Sequence, residues 1–145
     1  MSCIYGTRQF GFEDQGWVAW FTIAALFNRP ITIYGNGKQV RDLLYVDDLV
    51  KAYDKFIENN LKHAVFNIGG GPENTTSLVE FLDILETETG KRSKITFSDW
   101  RPSDQKVYIS DISKIKKELN WAPKINPEEG IKKLISWVKE NGDLF

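Results

Sequence analysis

Arg41 stands at the head of the apolar stretch Leu43-Leu44-Tyr45-Val46. An arginine in such surroundings needs an anion to meet it. Far along the chain, Arg101 and Asp104 share "WRPSDQK", which follows a strand-like segment and precedes a helix-like one. Thr32 and Tyr34 lie at the end of "ITIYGNG", one turn before Arg41. Two guanidinium forks, an aromatic ring and a carboxylate suit a nucleoside diphosphate. The forks bind phosphate oxygens, the ring packs against the base, and the carboxylate accepts from ribose hydroxyls. The competing reading is ordinary ion pairing, Arg41 with Asp42 or Asp47 and Arg101 with Asp104; composition alone does not choose between the two.

Other reactive groups point to less. His63 lies between a helix end and a strand, and no serine or cysteine motif pairs with it. No Cys/His cluster has metal spacing. Asp47-Asp48 reads as a helix cap with a favourable dipole rather than a metal site. "GGGPEN" (Gly69 to Asn74) has the strand-to-helix context of a phosphate loop but matches neither G-x-G-x-x-G nor the Walker pattern, so it reads as a turn. The sequence therefore predicts no catalytic set and no metal site of its own.

Bulk properties remove several classes. The 145 residues suffice for one domain with a core. Against 19 Lys+Arg stand 20 Asp+Glu, a formal net charge of -1, which lacks the cationic stripe that nucleic acid requires. No apolar run reaches the roughly 18 residues of a membrane helix, and "MSCIYGTRQF" lacks the basic flank and apolar core of a signal peptide. Cys3 is the single cysteine, so no internal disulfide is possible; with the missing signal, a reducing cytoplasm is the expected location.

The elements that position these residues follow from patterning. "GWVAWFTIAALFNR" predicts a helix buried on two sides, with Asp14 as its cap. "ITIYGNG" and "VRDLLYV" predict short strands, and Asp47-Asp48 opens a helix with apolar Leu49, Ala52, Tyr53, Phe56 and Ile57. "HAVFNIGGG" predicts a strand buried on both faces, the only one of that kind. Next comes a helix with Ser77 as cap, Glu80 completing a capping box and Gly90 as terminator. "KITFSD" predicts a strand, and two amphipathic helices close the chain, with Asp111 capping the first and Pro127 in the first turn of the second. Strands alternating with helices indicate an α/β fold, and the shortage of parallel strands suggests part of a larger one. The unpaired edges of "AVFNI" lead to an expectation of oligomers or marginal stability.

Taken together, "YGTRQFG", "YGNGKQVRDLLYVDDL", "FNIGGG" before a Ser-initiated helix, and "RPSDQKVYISDISKIKKELNW" resemble the C-terminal part of extended short-chain dehydrogenase/reductase enzymes, the NAD-dependent nucleotide-sugar epimerases and dehydratases. Within that family the aromatic-rich "DQGWVAWF" is most similar to the branch of CDP-paratose (CDP-tyvelose) 2-epimerases; UDP-glucose 4-epimerases and dTDP-glucose dehydratases lie nearer the family average. The resemblance implies a Rossmann-like fold, of which residues 1–145 form a single C-terminal substrate-binding part: a small α/β lobe with the last Rossmann helix and strand. It implies that Arg41 and Arg101 contact the diphosphate, that Thr32 and Tyr34 line the base and ribose, that Asp104 meets the ribose, and that Gln15 approaches the substrate. It also implies that Ser2 and Cys3 pass the nicotinamide of NAD.

The family's Gly-rich pyrophosphate turn, its acidic residue for the adenosine ribose and its helical Tyr-x-x-x-Lys pair have no counterpart in these residues. Tyr34 and Lys38 have the spacing, but in a strand and turn, not on one helix face. The expectation is a nucleotide-sugar-binding portion of an NAD-dependent isomerase, inactive and retaining no NAD without the N-terminal half or a partner that supplies it. The alternative is a non-catalytic nucleotide-binding or interaction module.

Overall fold

The computed structural model describes residues 3–145. In chain order the elements are β1 (Cys3–Tyr5), α1 (Trp17–Leu26), β2 (Ile31–Tyr34), β3 (Val40–Tyr45), α2 (Val46–Glu58), a 3-10 turn (Pro72–Asn74), β4 (Thr75–Ser77), α3 (Leu78–Thr89), β5 (Ile95–Ser98), β6 (Val107–Tyr108), α4 (Ser113–Leu119), α5 (Pro127–Glu140) and a closing 3-10 turn (Gly142–Leu144).

β3 is the hinge of the architecture. Its last three residues pair in parallel with β1, Cys3 opposite Leu43 and Tyr5 opposite Tyr45. Its first three pair antiparallel with β4, and Val40 and Arg41 also pair in parallel with Val107 and Tyr108 of β6. Side chains alternate across a strand, so consecutive residues of β3 enter different cores. Leu43 and Tyr45 join the larger cluster, with Phe21, Ile31, Ile33, Phe81, Ile131 and Leu134; Leu44 joins the smaller one, with Ala52, Ile115, Leu119 and Trp121. The strand buried on both faces is thus β3. "AVFNI" forms no strand, and Val65 is 72% exposed. The reason is pairing: an apolar run becomes a buried strand only when neighbours satisfy its backbone, and no described strand pairs with residues 64–68.

α1 has no polar face, and seven of its ten residues are buried, as its all-round apolarity requires. Asp14 does not cap it: Gly16, in the left-handed conformation at φ 71°, holds that position without a side-chain bond. In α3 the cap is as the sequence predicts. The Ser77 hydroxyl accepts from the Glu80 amide, the Glu80 carboxylate accepts from the Ser77 amide, and Gly90 terminates at φ 65°. Asn126 caps α5 by accepting from the Glu129 amide, with Pro127 in the first turn. Asp111 does not hold the cap position of α4, which Ile112 fills without a side-chain bond, although its carboxylate accepts from the Ser113 amide.

α2 departs from expectation twice. No side chain caps it, and Asp48 is fully buried, its Oδ2 accepting from the Lys124 and Ile125 amides at 2.8 Å each. Of its expected apolar face, Ala52 is buried and Leu49 and Phe56 pack against the smaller cluster, whereas Tyr53 and Ile57 stand exposed, as does Val50. Among the described residues no helix is long and apolar enough to cross a membrane.

Candidate functional site

β2 and β5 form a separate two-stranded parallel sheet, Ile31 opposite Ile95 and Tyr34 opposite Ser98. The alternation of β2 sends Ile31 and Ile33 into the core and leaves Thr32 and Tyr34 half-buried on the other face. Pairing with β5 carries the segment after it, including Arg101 and Asp104, alongside β2 and β3. The turn between β2 and β3 passes close under this segment. Gly35 has φ 88°, and a Cβ there would lie 2.5 Å from the Trp100 ring, so only glycine fits.

The result is a cleft of about 180 Å³ lined by Thr32, Tyr34, Arg41, Arg101 and Asp104 among others. Arg41 and Arg101, distant in sequence, open into it together. Trp17, Phe21 and Leu78 supply apolar walls, and Glu13 and Asp14 border it from the loop before α1.

The partners of the two arginines are crossed relative to simple neighbour pairing. Arg41 Nη2 meets Asp104 Oδ1 at 2.8 Å while its Nη1 donates to its neighbour's carbonyl, that of Val40. Arg101 lies over the Tyr34 ring, 3.9 Å from the centroid, and pairs with Asp14 at 3.1 Å. The Tyr34 hydroxyl donates to Glu13 at 3.0 Å. Tyr34 above all, with Asp14 and Glu13 adding, raises the Arg101 guanidinium further above its ordinary value. Asp42, an expected partner of Arg41, is buried and instead accepts from the Gly71 amide at 3.0 Å.

Gln15 is not part of the lining. It stands exposed on the rim, its backbone bonded in both directions to Phe12. Cys3 is half-buried, and its sulfur accepts from the Trp17 indole at 3.3 Å; burial, chiefly, pushes its thiol up. Ser2 lies outside the described residues. Sequence reasoning missed Glu13, Trp17, Phe21, Gln39 and Leu78, although "DQGWVAWF" carried the signal of an aromatic wall beside acidic residues.

Two other features are weaker candidates. A larger concavity of about 440 Å³ between the Pro72–Asn74 turn and α4 is lined by Glu73, Asp111 and Lys116 among others and has no arginine and no aromatic ring, so it offers neither a fork nor a stacking surface. Gly69–Gly71 is a turn: Gly71 has φ 72° and its amide serves Asp42, and a Cβ on Gly70 would overlap the Leu43 carbonyl. Among the described residues, no group of three or more His, Cys, Asp or Glu is placed to hold a metal.

Residues 18–134 match the family model described as GDP-mannose 4,6 dehydratase. The chain is 40% identical over 144 residues to CDP-paratose 2-epimerase of Salmonella typhi, an alignment covering 94% of this chain and 43% of that protein. It superposes on UDP-glucose 4-epimerase of Thermotoga maritima, solved with UDP-glucose, at a TM-score of 0.83 and 33% identity, covering 96% of this chain and 44% of that one. It also superposes on UDP-glucuronic acid 4-epimerase of Bacillus cereus, solved with UDP-glucuronic acid and NAD, at 0.80 and 26%, covering 96% and 43%. The chain spans less than half the length of these relatives.

Proposed function

From its membership of the extended short-chain dehydrogenase/reductase family of NAD-dependent nucleotide-sugar epimerases and dehydratases, we propose that this chain is the substrate-binding part of a nucleotide-sugar epimerase. It grips the nucleoside diphosphate and presents the sugar. The observation that carries the reading is the shared cleft of Arg41 and Arg101 beside Tyr34. In this reading a diphosphate displaces Asp104 from Arg41 and Asp14 from Arg101, and both forks take phosphate oxygens. Thr32 and Tyr34 line the base and ribose, Gln15 approaches from the rim, and Asp104, 25% exposed when paired with Arg41, turns to a ribose hydroxyl. Such contacts bind and orient; they transfer no proton or hydride.

The favoured substrate class is a CDP-linked sugar epimerised at C2, supported by the 40% identity to the Salmonella typhi protein. A UDP- or dTDP-linked sugar is the alternative, and competition between the three nucleotides separates them. Isothermal calorimetry with CDP tests the grip itself. Binding at millimolar affinity or better, lost in Arg41→Ala, supports it; no binding at all overturns it in favour of an interaction module.

NAD is the family's cofactor, and the solved Bacillus cereus relative holds it. The described residues do not fit an NAD site by themselves. The Cys3 sulfur faces Trp17, and in the glycine run the Gly71 amide donates to Asp42 while Gly70 packs closely against the Leu43 carbonyl. We therefore assign the cofactor and the acid–base chemistry to residues corresponding to the relatives' other half. Val50, Tyr53, Ile57 and Val65 stand exposed, and in this reading such a half, or a second copy of the chain, would cover apolar side chains of this kind. The purified 145-residue chain should show neither retained NAD nor turnover; either one, measured on a verified chain, overturns this assignment.

A further inference from the structure

One side of β5 has no strand beside it. Among the described residues it pairs with β2 alone, and every residue from Ile95 to Ser98 is exposed. The bonds to β2 fix which backbone groups are left over. The Ile31 amide donates to the Lys94 carbonyl and the Gly35 amide to the Ser98 carbonyl, at 2.9 Å each. Bonding residues alternate along a strand, so Lys94, Thr96 and Ser98 face β2. The N–H and C=O groups of Ile95 and Phe97 therefore point to the open edge. The side chains of these two residues share a face with Ile31 and Ile33, which stand opposite them in β2. Ile31 and Ile33 are fully buried, whereas Ile95 is 39% and Phe97 62% exposed. The apolar face of the sheet thus runs past the margin of the core. Natural edges are blunted by a proline, a bulge or a charge within the strand, and Ile95–Ser98 has none of these.

This edge is complementary to itself. When two copies of β5 run antiparallel about a two-fold axis, opposed residues lie on the same face of the joined sheet. The register centred on Thr96 sets Ile95 against Phe97 of the second copy, and Phe97 against its Ile95. These are the residues with free backbone groups, so each pair exchanges both N–H···O bonds. Each is also an aromatic–β-branched pair, one of the favourable cross-strand kinds, as is the Thr96 pair between them. Centring on Phe97 would instead oppose Ile95 to Asp99, and centring on Ile95 would oppose Phe97 to Ser93. Charge selects the same direction. Arg92 and Lys94 precede the strand core and Asp99 follows it, so antiparallel pairing sets basic ends against acidic ones, whereas parallel pairing sets like against like. We propose that β5 is a homodimerisation edge, which joins the β2–β5 sheets of two copies into one. Thr96 lies on the face that bears Thr32, so the two clefts open on the same side of the joined sheet. The inference stands apart from the nucleotide reading.

Sedimentation of the 145-residue chain over a range of concentrations tests the edge. The paired surface is small, so a dissociation constant of about 10–100 μM is expected, and a chain still monomeric at about 1 mM overturns the proposal. Phe97→Lys removes both Ile–Phe pairs and should weaken the dimer at least about tenfold. Phe97→Pro removes an outward N–H that β2 does not use and should weaken it similarly. Circular dichroism melts check that both variants fold; a folded variant that dimerises like the wild type overturns the proposal. Cysteine cross-linking in a Cys3→Ser background reads the register without disturbing the edge. Opposed residues that exchange no bonds have Cα atoms about 4.5 Å apart, within disulfide reach, so mild oxidation should link Thr96→Cys chains into covalent dimers. Phe97→Cys chains should stay unlinked, because the stagger along the strand holds their Cα atoms more than about 7 Å apart. Any other pattern of linking overturns the proposed pairing.

Discussion

Replacing Asp48 should be among the most damaging single changes in the chain, although the residue has no part in the cleft. Its side chain is fully buried, its Oδ2 accepts from two backbone amides at 2.8 Å, and its Oδ1 lies 3.2 Å from Lys51 Nζ. The Trp121 indole donates to the backbone carbonyl of the same residue at 3.0 Å. Through these bonds the first turn of α2 holds the segment that leads into α5. In Asp48→Ala both amides lose their acceptor, at about 1–3 kcal/mol for each buried group. The Ile125 amide is buried and bears the full cost, while the Lys124 amide is partly open to water and bears less. The sum is about 3–4 kcal/mol, a large share of the roughly 5–15 kcal/mol that holds a domain together. Asp48→Asn keeps a carbonyl for the two amides and loses only the charge assistance, so it should cost about 1–2 kcal/mol. Urea unfolding followed by circular dichroism measures both. An alanine cost below about 1 kcal/mol, or an asparagine cost equal to it, would refute the hydrogen-bond argument.

Ser77→Ala should destabilise by about 1 kcal/mol through loss of the α3 capping box. The Ser77 hydroxyl and amide hold the Glu80 carboxyl below its ordinary range. The ionised box therefore contributes above the ordinary carboxylate pKa and fades as pH falls through the lowered one, so the gap between wild type and Ser77→Ala in urea midpoint should narrow in acid. Burial raises the Cys3 thiol and partly shields it, so iodoacetamide at pH 8 should modify it at least about tenfold more slowly than free cysteine; an equal rate would contradict its placement under Trp17. Gly35→Ala combines a φ of 88° with a Cβ driven into the Trp100 ring. It should cost about 2–3 kcal/mol in thermal or urea unfolding, and a neutral result would mean that the turn has another shape.

Much of the fold was legible because much of it is local. The Ser77–Glu80 box, Pro127 in its first turn and the apolar periodicity of α5 each involve residues within a few positions of one another. The α/β class followed from the same alternation. Features that depend on distant partners were misread. "AVFNI" has the composition of a doubly buried strand, yet among the described residues no strand pairs with it, whereas β3 takes that role through β1, β4 and β6. Asp48 looked like a cap because its acceptors' donors, at Lys124 and Ile125, lie far along the chain.

The cleft divides in the same way. Residue types alone determined that this protein had two arginines, a tyrosine and a carboxylate in need of anionic or polar partners, since a guanidinium among apolar neighbours cannot go unpaired. Which partner each took was decided only in three dimensions. Parallel pairing of β2 with β5 draws Asp104 to Arg41 and Arg101 to Tyr34 and Asp14. It is also the tertiary arrangement that leaves Gln39 Oε1 without a donor. Charge and hydrogen-bonding capacity belong to each residue, but their satisfaction depends on which elements the sheet register brings together.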